Sequence, residues 1–319
     1  MATAAVLKMT GWRGSELSPS TGHHILPAAA ADELIVAYAA FESNQLPLAL
    51  VNPSFFSLAT TNRFVDCFRE NLAKGVGFAL IDRLPLDALG EDGARFAHWI
   101  ISSLIERPVA QNWRGDLVYD VTNTGRPPGN GVRPDKTNAE QNFHTDNSYN
   151  LCPPNYVALL CLRPAMTGGI SHIVSFQAAH DALKAKRPDL LKRLYQPFYF
   201  DRQREHAPGD ALTILHPLFA DKEGELLARL SRFQVINGQS LAGVGLDQSG
   251  KDALDALDTE MNAPGMDVSF FFEPGQIQIV NNRRIGHRRT SFEDWPDETK
   301  KRLLVRLWLR KQQRKFYNG

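Results

Sequence analysis

His144 and Asp146 stand two residues apart in the stretch Phe143-His144-Thr145-Asp146. On a β-strand, residues i and i+2 share a face, so this spacing sets an imidazole beside a carboxylate. The pair suits a first-row transition metal. One further imidazole completes a two-His, one-carboxylate facial triad, which leaves coordination positions open for non-haem Fe(II) oxygen chemistry. His-x-Asp alone is a weak pattern, and a solvated polar turn produces it more often than a metal does. Of the nine histidines, His287 is the candidate third ligand, because a hairpin strand precedes it and an arginine-bearing strand follows it. His23, His24, His98, His172, His180, His206 and His216 have no paired ligand at strand spacing.

The arginine-bearing strand runs over Arg302-Leu303-Leu304-Val305-Arg306-Leu307-Trp308-Leu309. A period of two places Leu303, Val305, Leu307 and Leu309 on one face and Arg302, Leu304, Arg306 and Trp308 on the other. An inward-facing Arg306 needs an anion, since arginine is rarely buried unpaired. Its guanidinium grips a carboxylate in a two-pronged fork. An ordinary ion pair with an Asp or Glu is the competing reading.

His144-Thr145-Asp146, Gly168-Gly169-Ile170-Ser171, Asn282 with His287-Arg288-Arg289-Thr290, and the Arg302–Leu309 strand occur in the order found in the taurine dioxygenase (TauD/TfdA-like) family, which the chain resembles over about residues 60–312. The resemblance implies an Fe(II)- and 2-oxoglutarate-dependent oxygenase on a double-stranded β-helix (jelly roll) with flanking helices. It implies iron ligation by His144, Asp146 and His287, with 2-oxoglutarate as cosubstrate and O2 as oxidant. Arg306 would hold the distal carboxylate of 2-oxoglutarate. Ser171 is a second contact, although Ile170 replaces the family's Asp there, and Arg302 competes with Arg306 for the cosubstrate or reaches an anionic substrate. The implied reaction oxidises an unactivated C–H of a small organic molecule, by hydroxylation as the default, and releases succinate and CO2. Retention of Asp146 disfavours chlorination. Asn142 and Asn147 flank the metal pair as candidates to orient it. Phe143 and Tyr149 are candidates for the substrate side, Asn282 for capping the turn before His287, and Arg289 for facing substrate or pairing with an acid.

The elements that must position these residues are legible in outline. Residues 1–60 carry prolines at 19, 27, 47 and 53 and read as an extended arm with one short helix near 31–41. Phe64, Phe68 and Leu72 form one helical stripe, and a second helix spans about 91–106 and stops at Pro108. Residues 122–141 form a long Gly/Pro-bearing loop leading into His144; loops of that length are often functional, and a cover over the site is the expectation. Strands are expected over 78–81, 117–121, 156–161, 171–175, 268–272, 277–280 and 302–310, and helices over 176–195 with a break at Pro188 and around 254–261. Glu273-Pro274-Gly275-Gln276 fits a type II turn. Residues 200–250 read as strands and loops. Together these predict an α+β jelly roll over 61–319 with the arm as part of the same fold.

Composition adds exclusions. The 319 residues are 43% apolar and 22% charged with net charge +1, an ordinary globular balance that argues against a dedicated nucleic-acid or membrane-surface partner. No run is long and apolar enough to span a bilayer, and Met1–Met9 lacks the charged start of a signal peptide. Cys67, Cys152 and Cys161 contain no Cys-x-x-Cys and are expected as buried free thiols in a cytoplasmic protein. The expected partner is a small-molecule substrate; a homo-oligomer is left open. Two other classes share the scaffold: a non-catalytic jelly-roll binding protein, and a metalloenzyme that uses no 2-oxoglutarate.

Overall fold

In the computed structural model, residues 11–44, 46–127 and 132–311 are described. Eleven strands form two facing sheets: β1 His23–Ile25, β2 Phe78–Asp82, β3 Pro108–Val109, β4 Tyr119–Val121, β5 Gln141–His144, β6 Tyr156–Arg163, β7 Ser171–Ser175, β8 Asp267–Phe270, β9 Ile277–Asn281, β10 Ile285–Arg289 and β11 Leu303–Leu309. The larger sheet has the order β1-β2-β9-β6-β11-β3, with β4 also on β11; the smaller has the order β8-β7-β10-β5. From β5 onward the chain passes back and forth between the sheets, and except for the parallel β1–β2 edge every pair is antiparallel. This is the double-stranded β-helix.

Alternation within the central strands divides the core into layers. Ala158, Leu160, Ile277, Ile279, Leu303, Val305, Leu307 and Leu309 face outward into a cluster with helices α1 Ala28–Asn44, α2 Ala59–Lys74 and α3 Leu86–Ile105. Phe64, Phe68 and Leu72 are the buried stripe of α2, as their spacing predicts. The opposite faces of the same strands carry Val157, Val280, Trp308 and Leu304 into the space between the sheets. Behind the smaller sheet, Val174 packs with α4 Phe176–Lys186, α5 Pro188–Leu194 and α7 Gln248–Met261. Gly286 is required here, because a Cβ on it would lie 2.9 Å from the Phe176 ring.

Several expectations are refined. The arm's helix is 17 residues long rather than short, and β1 joins the larger sheet beside β2. Helix α3 begins at Leu86, a turn before the expected start, and Gly90 breaks it with φ 63°. The Pro188 break separates α4 from α5 as expected. At the Pro274-Gly275 turn Gly275 has φ 86°, and the Gln276 N–H donates to the Glu273 carbonyl at 3.1 Å. Residues 200–250 hold a helix that the sequence reading lacks, α6 Arg232–Leu241. Its inward face is built from Gln234, Val235, Gly238 and Gln239 while Phe233, Ile236 and Leu241 are exposed, so no apolar stripe announces it. Cys67 is exposed and Cys152 half-buried, and only Cys161 is buried, which corrects the expectation of three buried thiols. Cys67 lies one step off the Phe64–Phe68 stripe and faces out. Among the described residues no helix is long and apolar enough to cross a membrane.

Candidate metal centre

β5 and β10 are neighbours, and His287 pairs directly across from His144. That register, set by strands distant in sequence, brings the two imidazoles to a centroid separation of 4.3 Å. Asp146 follows β5 by two residues. Its backbone is held from both sides by one side chain: the Asp146 N–H donates to Asn282 Oδ1 at 2.7 Å, and Asn282 Nδ2 donates to the Asp146 carbonyl at 2.9 Å and to that of Pro154 at 3.1 Å. Asn282 is therefore a clamp on the metal-site loop and not the cap of the turn before His287. That cap is Asn281, whose Oδ1 accepts from the Arg283 N–H.

The three candidate ligands fit a metal. His144 Nε2 and His287 Nε2 each lie 3.4 Å from the same oxygen, Asp146 Oδ1, and all the ligand atoms fall within 4.8 Å of one another. Bonds of about 2.1 Å at right angles would separate neighbouring donors by roughly 3 Å, so a small inward movement completes a facial set. Among the described residues this is the one group of three or more His, Cys, Asp or Glu side chains able to hold an ion. His144 Nδ1–H donates to the Asn142 carbonyl at 2.9 Å, which leaves Nε2 free to ligate. Asn142 thus orients the metal pair through its main chain. Asn147 lines the cavity.

The second oxygen of Asp146 is tied elsewhere. Oδ2 accepts from the Trp308 indole at 2.7 Å and lies 3.2 Å from Arg306 Nη1. Burial by itself would raise the Asp146 pKa, but Arg306 and the two imidazoles hold it well below the usual carboxylate range. His287 is pushed down, by burial first and by His144 second, which keeps its ring neutral as ligation requires.

Arg306 and Arg302 prove very different. Arg306 is buried, with Nε donating to Gln111 Oε1 at 2.8 Å and Nη2 donating to Asp135 Oδ2 at 3.4 Å, besides its Asp146 contact. Arg302 is equally buried, yet its Nη1 is sealed from solvent without a hydrogen-bond partner, and among the described residues it makes no ion pair; its backbone N–H donates to Asp294 Oδ1 at 2.8 Å. Burial lowers its pKa to about 10. Ser171 is buried and donates to Gln278 Oε1 at 2.9 Å, and the Arg302 side chain runs past Gly169.

One cavity of about 330 Å³ opens on all these groups. Phe143, Tyr149, Ser171, Arg289, Arg302 and Arg306 line it, as expected of site residues, and so do Asn142 and Asn147. Two further segments, the 122–141 loop and part of 200–250, contribute residues that the sequence does not single out. Asp135 and Arg133 come from the described part of the long loop, which dips into the cavity; residues 128–131 of that loop lie outside the described residues. The start of α6 supplies Arg232, Phe233 and Gln234. It is pinned beside the metal pair, since the Thr145 N–H donates to the Leu230 carbonyl at 2.8 Å and the Leu230 N–H donates to Thr145 Oγ1 at 3.0 Å. Trp308 was legible, being two residues from Arg306 on the same strand face. Asp135 sits in a Pro-rich loop with no periodicity to reveal its direction.

Residues 57–308 match the family described as "Taurine catabolism dioxygenase TauD, TfdA family". FR-33289 synthase of Streptomyces rubellomurinus is 29% identical over 245 residues, covering 75% of this chain and 70% of that protein. Uridine-5'-phosphate dioxygenase of Amycolatopsis is 32% identical over 151 residues, 46% of this chain and 52% of that protein. Among solved structures, asparagine oxygenase in complex with Fe(II), 2S,3S-3-hydroxyasparagine and succinate superposes with a TM-score of 0.68 at 20% identity, covering 90% of this chain and 93% of that one. The non-heme iron oxygenase OrfP with Fe and alpha-ketoglutaric acid gives 0.65 at 16% identity over 91% and 94% of the two chains. At those identities the structural likeness establishes the fold.

Proposed function

This chain belongs to the taurine catabolism dioxygenase TauD, TfdA family; it is an Fe(II)- and 2-oxoglutarate-dependent dioxygenase, and we propose that His144, Asp146 and His287 hold the iron while Arg302 anchors the cosubstrate. The observation that carries the metal assignment is the convergence of two imidazoles from paired strands on Asp146 Oδ1. When bound, iron would use 2-oxoglutarate as the reductant that activates O2, the oxidant: one oxygen atom goes to succinate as CO2 is released, and the other serves to oxidise the C–H bond. The protein's part is positioning. Trp308 and Arg306 occupy Asp146 Oδ2 and so turn Oδ1 toward the metal. The Asn142 carbonyl fixes the His144 tautomer.

Arg302 is preferred to Arg306 for the distal carboxylate because Arg306 already faces two carboxylates, whereas Arg302 faces none within ion-pair distance among the described residues. A buried guanidinium without an anion is costly, and 2-oxoglutarate supplies one. The substrate is a small organic molecule, and we place it among amino acids and specialised metabolites. The solved relatives named for hydroxylated asparagine and arginine support that class. The described part of the 122–141 loop and the start of α6 form the substrate side of the cavity. Unpaired cysteines fit a cytoplasmic location.

The test is succinate formation from 2-oxoglutarate, screened over such molecules with Fe(II) and O2. Turnover should vanish in His144→Ala while the thermal transition persists; full activity in that variant would remove the triad.

A further inference from the structure

The cosubstrate end of the cavity holds a second guanidinium that none of the reasoning above uses. Arg289 lies two residues beyond His287 on β10, so both side chains share one face. It pairs directly across from Ser171 on β7. Its guanidinium carbon lies 4.6 Å from the centroid of the Phe292 ring, and that of Arg302 lies 5.0 Å from the same centroid. Arg289 is buried and makes no ion pair with a carboxylate among the described residues. Its Nη2 donates to the carbonyls of Thr137 and Ala139, and its Nε has no partner. Two buried guanidiniums thus share one aromatic ring, and Asp294, whose charge favours both cations, forms an ion pair with neither among the described residues. Like charges held together away from water repel strongly unless an anion lies between them. The remaining arginines of the cavity already have anions: Arg288 has Glu140, Arg232 has Asp255 and Asp258, and Arg133 has Asp135 and Glu205.

Resting on the proposed function, we infer that Arg289 and Arg302 form a two-guanidinium clamp that grips the distal carboxylate of the keto acid from both sides above Phe292, making Arg289 a determinant of cosubstrate selectivity. A carboxylate has two oxygens and about four acceptor positions, enough for the Arg302 fork and for the Arg289 Nε–H that has no other partner. The clamp selects a dicarboxylic keto acid over a monocarboxylic one, since an uncharged tail would leave both cations buried and unpaired. The carbonyls of Thr137 and Ala139 hold Arg289 in place from the loop that also brings Asp135 into the cavity.

The experiment is calorimetric titration of the full-length, Mn(II)-loaded protein with 2-oxoglutarate and with 2-oxopentanoate, which lacks the distal carboxylate. Arg289→Gln should raise the Kd for 2-oxoglutarate at least tenfold and leave that for 2-oxopentanoate within twofold. If both keto acids weaken in parallel, Arg289 merely holds the loop and the inference falls; unchanged 2-oxoglutarate binding overturns it as well. Arg289→Lys, which keeps the charge but lacks the fork, serves if the glutamine variant does not fold, and should give a smaller loss confined to 2-oxoglutarate. A wild-type protein that binds the two keto acids equally would overturn the proposed cosubstrate itself, an outcome distinct from failure of the clamp.

Discussion

Replacing Arg302 and Arg306 by glutamine, one at a time, should separate two functions that their sequence context leaves merged. A hydrogen bond to a charged group is worth about 1.5–3 kcal/mol, so two N–H···O bonds from Arg302 to a buried carboxylate amount to roughly 3–6 kcal/mol. Arg289 remains in Arg302→Gln and recovers part of that, leaving a loss of about 2–4 kcal/mol. At 1.4 kcal/mol per decade, the Kd for 2-oxoglutarate should rise roughly 30- to 1,000-fold. The same variant should fold at least as stably as the parent when no cosubstrate is present, because it removes a buried cation that has no ion pair among the described residues and whose Nη1 has no partner to lose. Arg306→Gln should behave in the opposite way. It leaves Asp135 with Arg133 alone and loosens Asp146, so the protein should lose about 3 kcal/mol of stability, the low end for a broken buried pair, and roughly 10- to 100-fold in metal affinity, with cosubstrate affinity at saturating metal nearly preserved. Calorimetry on the Mn(II)-loaded protein reads the cosubstrate, metal competition reads the site, and thermal melts read stability. If Arg302→Gln binds 2-oxoglutarate within threefold of wild type while Arg306→Gln loses it, the assignment is reversed and the reasoning from unpaired charge is wrong.

Trp308→Phe keeps an aromatic ring in place but deletes the indole N–H that reaches Asp146 Oδ2 at 2.7 Å; metal affinity should drop about 10- to 100-fold with the circular dichroism spectrum unchanged, and a metal Kd within twofold of wild type would exclude Trp308 as an orienting group. His98, sealed within α3 beneath the larger sheet, has its pKa lowered to about 3 by burial, whereas the unfolded chain's histidine titrates near 6.5. Above pH 6.5 both states are neutral and His98 adds no slope; between pH 6.5 and 3 only the unfolded state takes up the proton, so stability falls as pH falls. His98→Leu should flatten that part of the Tm-versus-pH curve, and an unaltered slope would assign the acid sensitivity elsewhere.

What the sequence makes legible follows from which interactions are periodic. In the Arg302–Leu309 strand, alternating leucine and valine have one face that must meet the helices, so the direction of Arg306 and Trp308 follows from the pleat. The stripe of Phe64, Phe68 and Leu72 works the same way at a helical period. Helix α6 breaks this logic. It packs on the strand Phe198–Asp201 through Gly238, where a Cβ would come within 2.3 Å of the Tyr199 carbonyl. Close backbone approach replaces an apolar stripe, and a pattern of large side chains has nothing to register. Asn282 is a related case. Its position beside a turn suggests a cap, but its bonds run to Asp146 and Pro154, more than a hundred residues away, and no local spacing encodes that.

The two arginines mark where such reasoning ends. Arg302 and Arg306 are four residues apart, share a face by period two, and are buried to nearly the same degree. Nothing within the strand distinguishes them. What does is Asp135, carried into the cavity by a loop whose direction no repeat predicts, together with Gln111 from the segment after β3. Those groups and Asp146 occupy Arg306 and leave Arg302 with its charge unspent. The anion demand that the strand pattern assigns to Arg306 is real, but the protein's own carboxylates meet it. The demand that remains open sits one helical-turn's worth of sequence earlier, at Arg302, beside Arg289. A buried cation becomes a binding site when the chain supplies no anion of its own, so the question to put to each arginine is which acid the rest of the fold has already brought to it.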